Sequence, residues 1–159
     1  MRQVAVADIG GTHARFAIAE IDGGRVVSLG EPVTLKTAEH GSFQLAWEEF
    51  GRQNGGLPNE LAIAFAGPVG GEVLKLTNNP WVIRPYLMKE RLGVDRYTIV
   101  NDFGAVGFAV ATLGDEYFRS RFGCGFRQRI GIDRRRTDER LGVAVAFEMN
   151  RLEADRRGL

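Results

Sequence analysis

Residues 3–20 read QVAVADIGGTHARFAIAE. Gln3 to Asp8 is a short apolar run of strand character, and Gly10-Gly11 breaks it. Ala14 to Glu20 resumes the extended pattern, with Phe16 and Ile18 on one face. Asp22-Gly23-Gly24 is a hairpin signal, across which Arg25 to Leu29 can pair back. Pro32 to Lys36 adds another short extended run. The chain therefore opens as an antiparallel sheet of three strands, with an aspartate and two glycines at its first turn.

The pattern then changes period. Ser42 can cap a helix in which Phe43, Ala46, Trp47 and Phe50 recur at helical spacing, and Asn54-Gly55-Gly56-Leu57-Pro58 ends it. LAIAFA, residues 61–66, is apolar on both sides of a strand, as expected of a strand covered on two faces. Val73 to Leu76 reads as a further short strand and Asn78 to Trp81 as a loop. Pro85 to Leu92 fits a short helix closed by Gly93. Tyr97 to Val100 is a strand running into Asn101-Asp102, and Gly104 to Leu113 reads as a buried helix. The order βββαβα predicts an α/β domain with a mixed sheet and helices on its faces.

Composition narrows the class. Of 159 residues, 44% are hydrophobic and 26% charged, enough for a core and unlike a disordered chain. One cysteine, Cys124, excludes a disulfide framework and a cysteine-rich zinc site. Two histidines, His13 and His40, read as ordinary surface or hairpin residues. No apolar run approaches the roughly 18 residues of a membrane span. MRQVAVADIGG is a poor secretory signal, so the expectation is a cytoplasmic protein with no membrane partner.

Two constellations can carry chemistry, and a third is weighed beside them. Asp8-Ile9-Gly10-Gly11-Thr12 suits a phosphate-binding hairpin: glycines let the backbone approach an anion, Thr12 adds a hydroxyl, and Asp8 could hold Mg²⁺. A plain β-turn is the alternative reading. Asn101-Asp102 stands where a strand ends and a helix begins, the place where α/β folds collect ligands. An aspartate there can take a proton from a substrate hydroxyl, or merely cap the helix. Asn78, Asn79 and Trp81 could meet a sugar, the amides at its hydroxyls and the indole against its ring, or form a turn with a core tryptophan.

ADIGGTHARFAIAE, TLKTAEH, QLAWEEFG, AIAFAGPVGGEVLKLTNNPW and IVNDFGAV, in that order, resemble the N-terminal part of the bacterial glucokinase family over roughly residues 3–118. The resemblance implies an actin-like, ribonuclease-H-like ATPase fold, in which two domains close over ATP and sugar. It implies ATP-dependent phosphorylation of glucose with Mg²⁺, and a homodimer among the assemblies of the whole-length proteins. By that resemblance Ala7, Asp8, Ile9, Gly10, Gly11 and Thr12 form the first phosphate loop. Asp102 is the general base for the 6-hydroxyl of glucose, Asn101 binds its hydroxyls, and Asn78 lies in a loop approaching the sugar.

The resemblance stops near residues 118–122. Residues 1–118 carry 10 Lys and Arg against 14 Asp and Glu, whereas residues 119–159 carry 11 against 6, and all 11 are arginine. The family's second phosphate loop and its Glu-Gly-Gly-His sugar ligands are absent from this stretch. Arginine-rich, lysine-free text is what a GC-rich coding sequence often gives in the wrong frame. Two units are expected, a glucokinase-like domain over 1–118 and an unassigned tail over 119–159, which is frameshifted or truncated. Gly125 to Arg129 leaves an internal deletion as an alternative. Arg134-Arg135-Arg136 could meet phosphates, but Asp133, Asp138 and Glu139 flank it, so no nucleic-acid partner is expected. The rival to an enzyme is a non-catalytic fragment or binding module of the same family.

Overall fold

The computed structural model describes residues 1–22 and 25–105. Cys124, the expected helix beyond residue 105, the turn glycines Gly23 and Gly24, and the arginine-rich stretch lie outside the described residues. The chain opens with β1 (Arg2–Ile9), β2 (His13–Asp22), β3 (Arg25–Leu29) and β4 (Val33–Lys36). A 3-10 turn (Thr37–Glu39) leads to α1 (Phe43–Asn54) and β5 (Glu60–Phe65). Two short strands, β6 (Leu74–Lys75) and β7 (Val82–Ile83), form a separate hairpin. A 3-10 turn (Pro85–Leu87) feeds α2 (Met88–Leu92), and β8 (Arg96–Asn101) closes the order. No described helix is long and apolar enough to cross a membrane.

The main sheet runs β3-β2-β1-β5-β8, with β4 also on β2. It is mixed, as expected: β1, β5 and β8 are parallel, and β2, β3 and β4 are antiparallel to their neighbours. The expected three-strand start is in fact four-stranded. The ten-residue β2 is long enough to serve two partners along one edge, β4 at His13–Phe16 and β3 at Ala19–Asp22. At the amino ends of the parallel strands, Glu60 pairs with both Arg2 and Arg96, linking β1, β5 and β8.

Alternation on β1 and β2 sorts the core. Ala5, Ala7, Ile9, Ala14 and Phe16 join one cluster with Leu61, Ile63 and Phe65 of β5. Val4, Val6, Ala17, Ala19, Ile21 and Ala62 form a second cluster. Helix α1 lies on the first, and Phe43, Ala46, Trp47 and Phe50 are its buried residues, the four that the spacing selected. Phe16 stacks on Phe43 and Phe50 at ring-centroid distances of 6.1 and 5.1 Å, with Trp47 at 6.3 Å. Such offset pairs add about 0.5–1.5 kcal/mol beyond area burial. Trp47 also donates its indole N–H to the Leu92 carbonyl at 3.1 Å, fastening the end of α2 to α1.

The helix ends follow local rules. Ser42 Oγ accepts from the Leu45 N–H at 3.2 Å, an N-cap. Gly55 and Gly93 close α1 and α2 at φ of 71° and 66°, conformations that a side chain would strain. Ser42→Ala is expected to cost about 0.5–2 kcal/mol, as for other lost N-caps. Urea unfolding checks it, and an unchanged midpoint would mean that the cap contributes nothing to the fold.

Candidate active site

The three parallel strands end level. Ile9 stands opposite Phe65, and Phe65 opposite Asn101. At roughly 4.8 Å per strand step, Ile9 and Asn101 are about 10 Å apart across β5. From this edge leave the hairpin 10–12, the loop starting at Ala66, and the helical residues from 102. The Ala66 N–H donates to the Ile9 carbonyl at 3.0 Å, and Asn101 Nδ2 to the Gly67 carbonyl at 2.8 Å, so the three segments are stitched together.

The hairpin is held from two further sides. Thr37 Oγ1 donates to the Gly11 carbonyl at 2.8 Å, and the Thr37 N–H to the Thr12 carbonyl at 3.0 Å. Asn79 Nδ2 reaches the same Gly11 carbonyl at 3.3 Å. The neighbouring Asn78 lies against Gly11, where an added Cβ would meet Asn78 Cβ at 3.6 Å. Within the hairpin, the Gly10 N–H donates to the His13 carbonyl at 2.9 Å. The N–H groups of Gly11 and Thr12 have no protein acceptor among the described residues. Neither Gly10 nor Gly11 has a positive φ, so backbone conformation does not demand glycine at either position. Asn78 Cβ is the one described atom that a Cβ at Gly11 would meet within 4 Å, so the backbone there is open to close approach.

Asn101 is the residue that caps the helix. Its Oδ1 accepts from the Phe103 N–H at 3.1 Å and the Gly104 N–H at 3.4 Å. Asp102 Oδ1 takes a second, local share of the Phe103 N–H at 2.7 Å, and Oδ2 has no protein partner among the described residues. The competing structural role for Asp102 is thus filled by its neighbour. Asn101 in turn uses its oxygen and one amide hydrogen inside the protein, and its second amide N–H has no acceptor among the described residues.

The side chains of the first loop divide. Ala7 and Ile9 are buried in the cluster under α1, with Ala7 paired between β2 and β5 and Ile9 at the end of β1. Asp8 lies on the other face of β1, directly across from Arg15, whose Nη1 is 3.1 Å from Asp8 Oδ2. A guanidinium at that distance opposes a cation on the same carboxylate. No group of three or more His, Cys, Asp or Glu suited to a metal occurs among the described residues. An Mg²⁺ ion at Asp8 would share the carboxylate with this guanidinium, and one or two carboxylates beside waters and phosphates are its usual protein ligands.

Trp81 belongs to the core, as its turn-and-core reading has it. It is 2% exposed, donates its indole N–H to the His40 carbonyl at 2.7 Å, and meets Phe43 edge-on at 6.3 Å. His40 sits in the turn after β4, its Nδ1 at 3.0 Å from the Lys36 carbonyl, and His13 pairs with Lys36 at the start of β2. Sequence reasoning missed Thr37 and the Gly67 carbonyl. The TLKTAEH stretch contained Thr37, but no spacing rule links it to a glycine 26 residues earlier.

The family model described as Glucokinase matches residues 5–123. The glucokinase of Zymomonas mobilis is 60% identical over 116 residues, covering 72% of this chain and 36% of that protein. The glucokinase of Mesorhizobium japonicum is 36% identical over 115 residues, covering 72% of this chain and 33% of its own length. Among solved structures, a glucokinase from an Antarctic psychrotroph superposes with a TM-score of 0.64 at 29% identity, covering 73% of this chain and 37% of that one. A ROK hexokinase from Thermus thermophilus, at 24% identity and a TM-score of 0.52, shares the fold over 70% of this chain and 39% of its own. These likenesses agree with the actin-like sugar-kinase fold. The chain spans about a third of the length of the curated relatives it matches.

Proposed function

The chain belongs to the glucokinase family, and we propose that residues 1–118 form the lobe that holds glucose and the ATP phosphates side by side for transfer of the γ-phosphoryl group to the sugar. The observation that carries this reading is the level ending of β1, β5 and β8. It gathers at one edge Asn101, Asp102, the two backbone N–H groups of Gly11 and Thr12 that have no acceptor among the described residues, and Asn78 beside Gly11. The Gly11 and Thr12 N–H groups are donors for phosphate oxygens, with Ala7 to Thr12 as the loop that presents them. Asp102 Oδ2 is the base that accepts the proton as the 6-hydroxyl of glucose attacks phosphorus. Asn101 offers its remaining amide N–H to a sugar hydroxyl, and Asn78 borders the space between sugar and phosphate. Phosphoryl transfer depends mostly on positioning and charge stabilisation. Asp8, at the start of that loop, would hold Mg²⁺ directly or through water while sharing its carboxylate with Arg15, and the ion would supply charge to the ATP phosphates.

A chimera tests the reading: residues 1–118 replace the matching segment of the Zymomonas mobilis glucokinase. Glucose 6-phosphate formation comparable to the parent enzyme is the expected result. A folded chimera that neither binds glucose nor turns over ATP would overturn it. The arginine-rich, lysine-free text after residue 118 we read as frameshifted, and reading the DNA beyond that codon in the other frames tests this separately.

In the chimera, Gly11→Val should weaken ATP roughly 10- to 100-fold, the value of a lost hydrogen bond to a charged group, and glucose much less. A valine fits the backbone without φ strain, so the melting temperature should stay near the parent's. Equal losses for both ligands with a lowered melting temperature would point to a fold defect.

A further inference from the structure

Thr37 is the one buried polar side chain among the described residues, at 2% exposure. Its hydroxyl is aimed at a single atom, the Gly11 carbonyl oxygen, which Asn79 approaches as a second donor. Two side chains from different loops thus converge on one carbonyl of the hairpin. No described peptide bond is cis. In a trans peptide the carbonyl and the N–H that share its plane point in opposite directions. Drawing the Gly11 carbonyl toward Thr37 and Asn79 therefore turns the Thr12 N–H away from both, on an exposed residue. Donation to the carbonyl also polarises the peptide and makes its N–H a stronger donor.

We infer that Thr37 and Asn79 are positioning residues, a clamp that fixes the Gly11–Thr12 peptide so that its N–H meets a phosphate oxygen. The inference rests on the reading of residues 10–12 as a phosphate hairpin. Neither residue touches the anion; both act through the peptide. Asn79 makes a second link, because its Oδ1 accepts the Trp81 N–H at 2.7 Å and its backbone follows Asn78. The loop that borders the proposed sugar space thereby reads the position of the hairpin, and the two substrate spaces share one hydrogen-bonded carbonyl.

The test uses the ¹⁵N-labelled 159-residue chain, titrated with Mg·ATP and with inorganic tripolyphosphate while the Gly11 and Thr12 amide resonances are followed. Thr37→Val replaces the hydroxyl with a methyl of similar volume and leaves no cavity. Thr37→Ser keeps the hydroxyl. Asn79→Ser keeps an acceptor for the Trp81 N–H but is too short to reach the Gly11 carbonyl. In the parent, both amide protons move downfield on titration. In Thr37→Val the Thr12 shift should shrink and both ligands should bind roughly 2- to 12-fold more weakly, the range of one neutral hydrogen bond. Thr37→Ser should restore the parent response, and Asn79→Ser should show a smaller loss of the same kind. A merely structural threonine would lower the melting temperature without moving the Thr12 shift. If Thr37→Val and Asn79→Ser titrate like the parent, the clamp is overturned and the phosphate hairpin stands. If the parent amides respond to neither ligand, the hairpin reading falls and the clamp with it. Should Thr37→Val not fold, the Asn79→Ser and Thr37→Ser titrations decide.

Discussion

Asp102→Asn is expected to lower glucose phosphorylation by the chimera about 10²–10⁴-fold, the usual contribution of a general base, with glucose affinity largely kept. The structure makes this substitution a clean one. Asp102 contributes Oδ1 to the Phe103 N–H, and an asparagine retains that oxygen. The helix cap belongs to Asn101, which the substitution leaves intact. What is lost is the basicity of Oδ2, because an amide is nearly isosteric with a carboxylate but accepts a proton far less readily. A coupled assay for glucose 6-phosphate, with KM and melting temperature measured alongside, separates the outcomes. Turnover above a tenth of the parent rate would remove Asp102 from the base's role. Loss of turnover together with a fall in melting temperature would show that the carboxylate was structural after all.

Phe16→Ala should destabilise the fold by about 3–5 kcal/mol, the range for an aromatic removed from a packed core. Phe16 is fully buried and is the ring on which Phe43, Trp47 and Phe50 of α1 all converge. Its removal leaves a cavity between β2 and α1 that rigid rings cannot close. Phe103 supplies the contrast. It has the same side chain but is 84% exposed, so Phe103→Ala should fall within about 0.5 kcal/mol of the parent. Urea unfolding followed by the fluorescence of Trp47 and Trp81 reads both. Similar losses for the two variants would mean that this aromatic cluster is not the centre of the fold.

The two predictions differ in how much of their basis is visible along the chain. Phe16 and the four residues of α1 announce themselves, because apolar residues at period 2 and period 3.6 must each face one way. The same holds for LAIAFA, whose unbroken apolarity demands cover on two faces: Leu61 to Phe65 are all buried, with Leu61, Ile63 and Phe65 in one cluster and Ala62 in the other. Short elements carry too few residues for a period. Val82–Ile83 carries no signal of its own, and it pairs with Leu74–Lys75 because the two segments meet in space. The 3-10 turn at Thr37–Glu39 has no periodic signature at all.

The site divides in the same way. Asp8 to Thr12 and Asn101-Asp102 are chemically conspicuous at strand ends, and residue type alone nominates them. Sequence could not say which of two adjacent residues caps the helix; Asn101 Oδ1 does, which leaves Asp102 Oδ2 available. Nor could it say that Asp8 would meet Arg15, since that pair follows from the register of β1 on β2.

By itself, then, the sequence determined the elements with strong periods, the glycine-marked turns and the residue types able to do chemistry. These are local properties, set by backbone sterics and by which side chains water rejects. Only the tertiary structure decided that β1, β5 and β8 end level, that Thr37 and Asn79 both donate to the Gly11 carbonyl, and that the Gly67 carbonyl receives Asn101. Those contacts join residues 26 to 68 positions apart. They exist because a buried or half-buried polar group must find a partner wherever strand pairing brings one, and strand pairing is decided by the packing of the whole sheet.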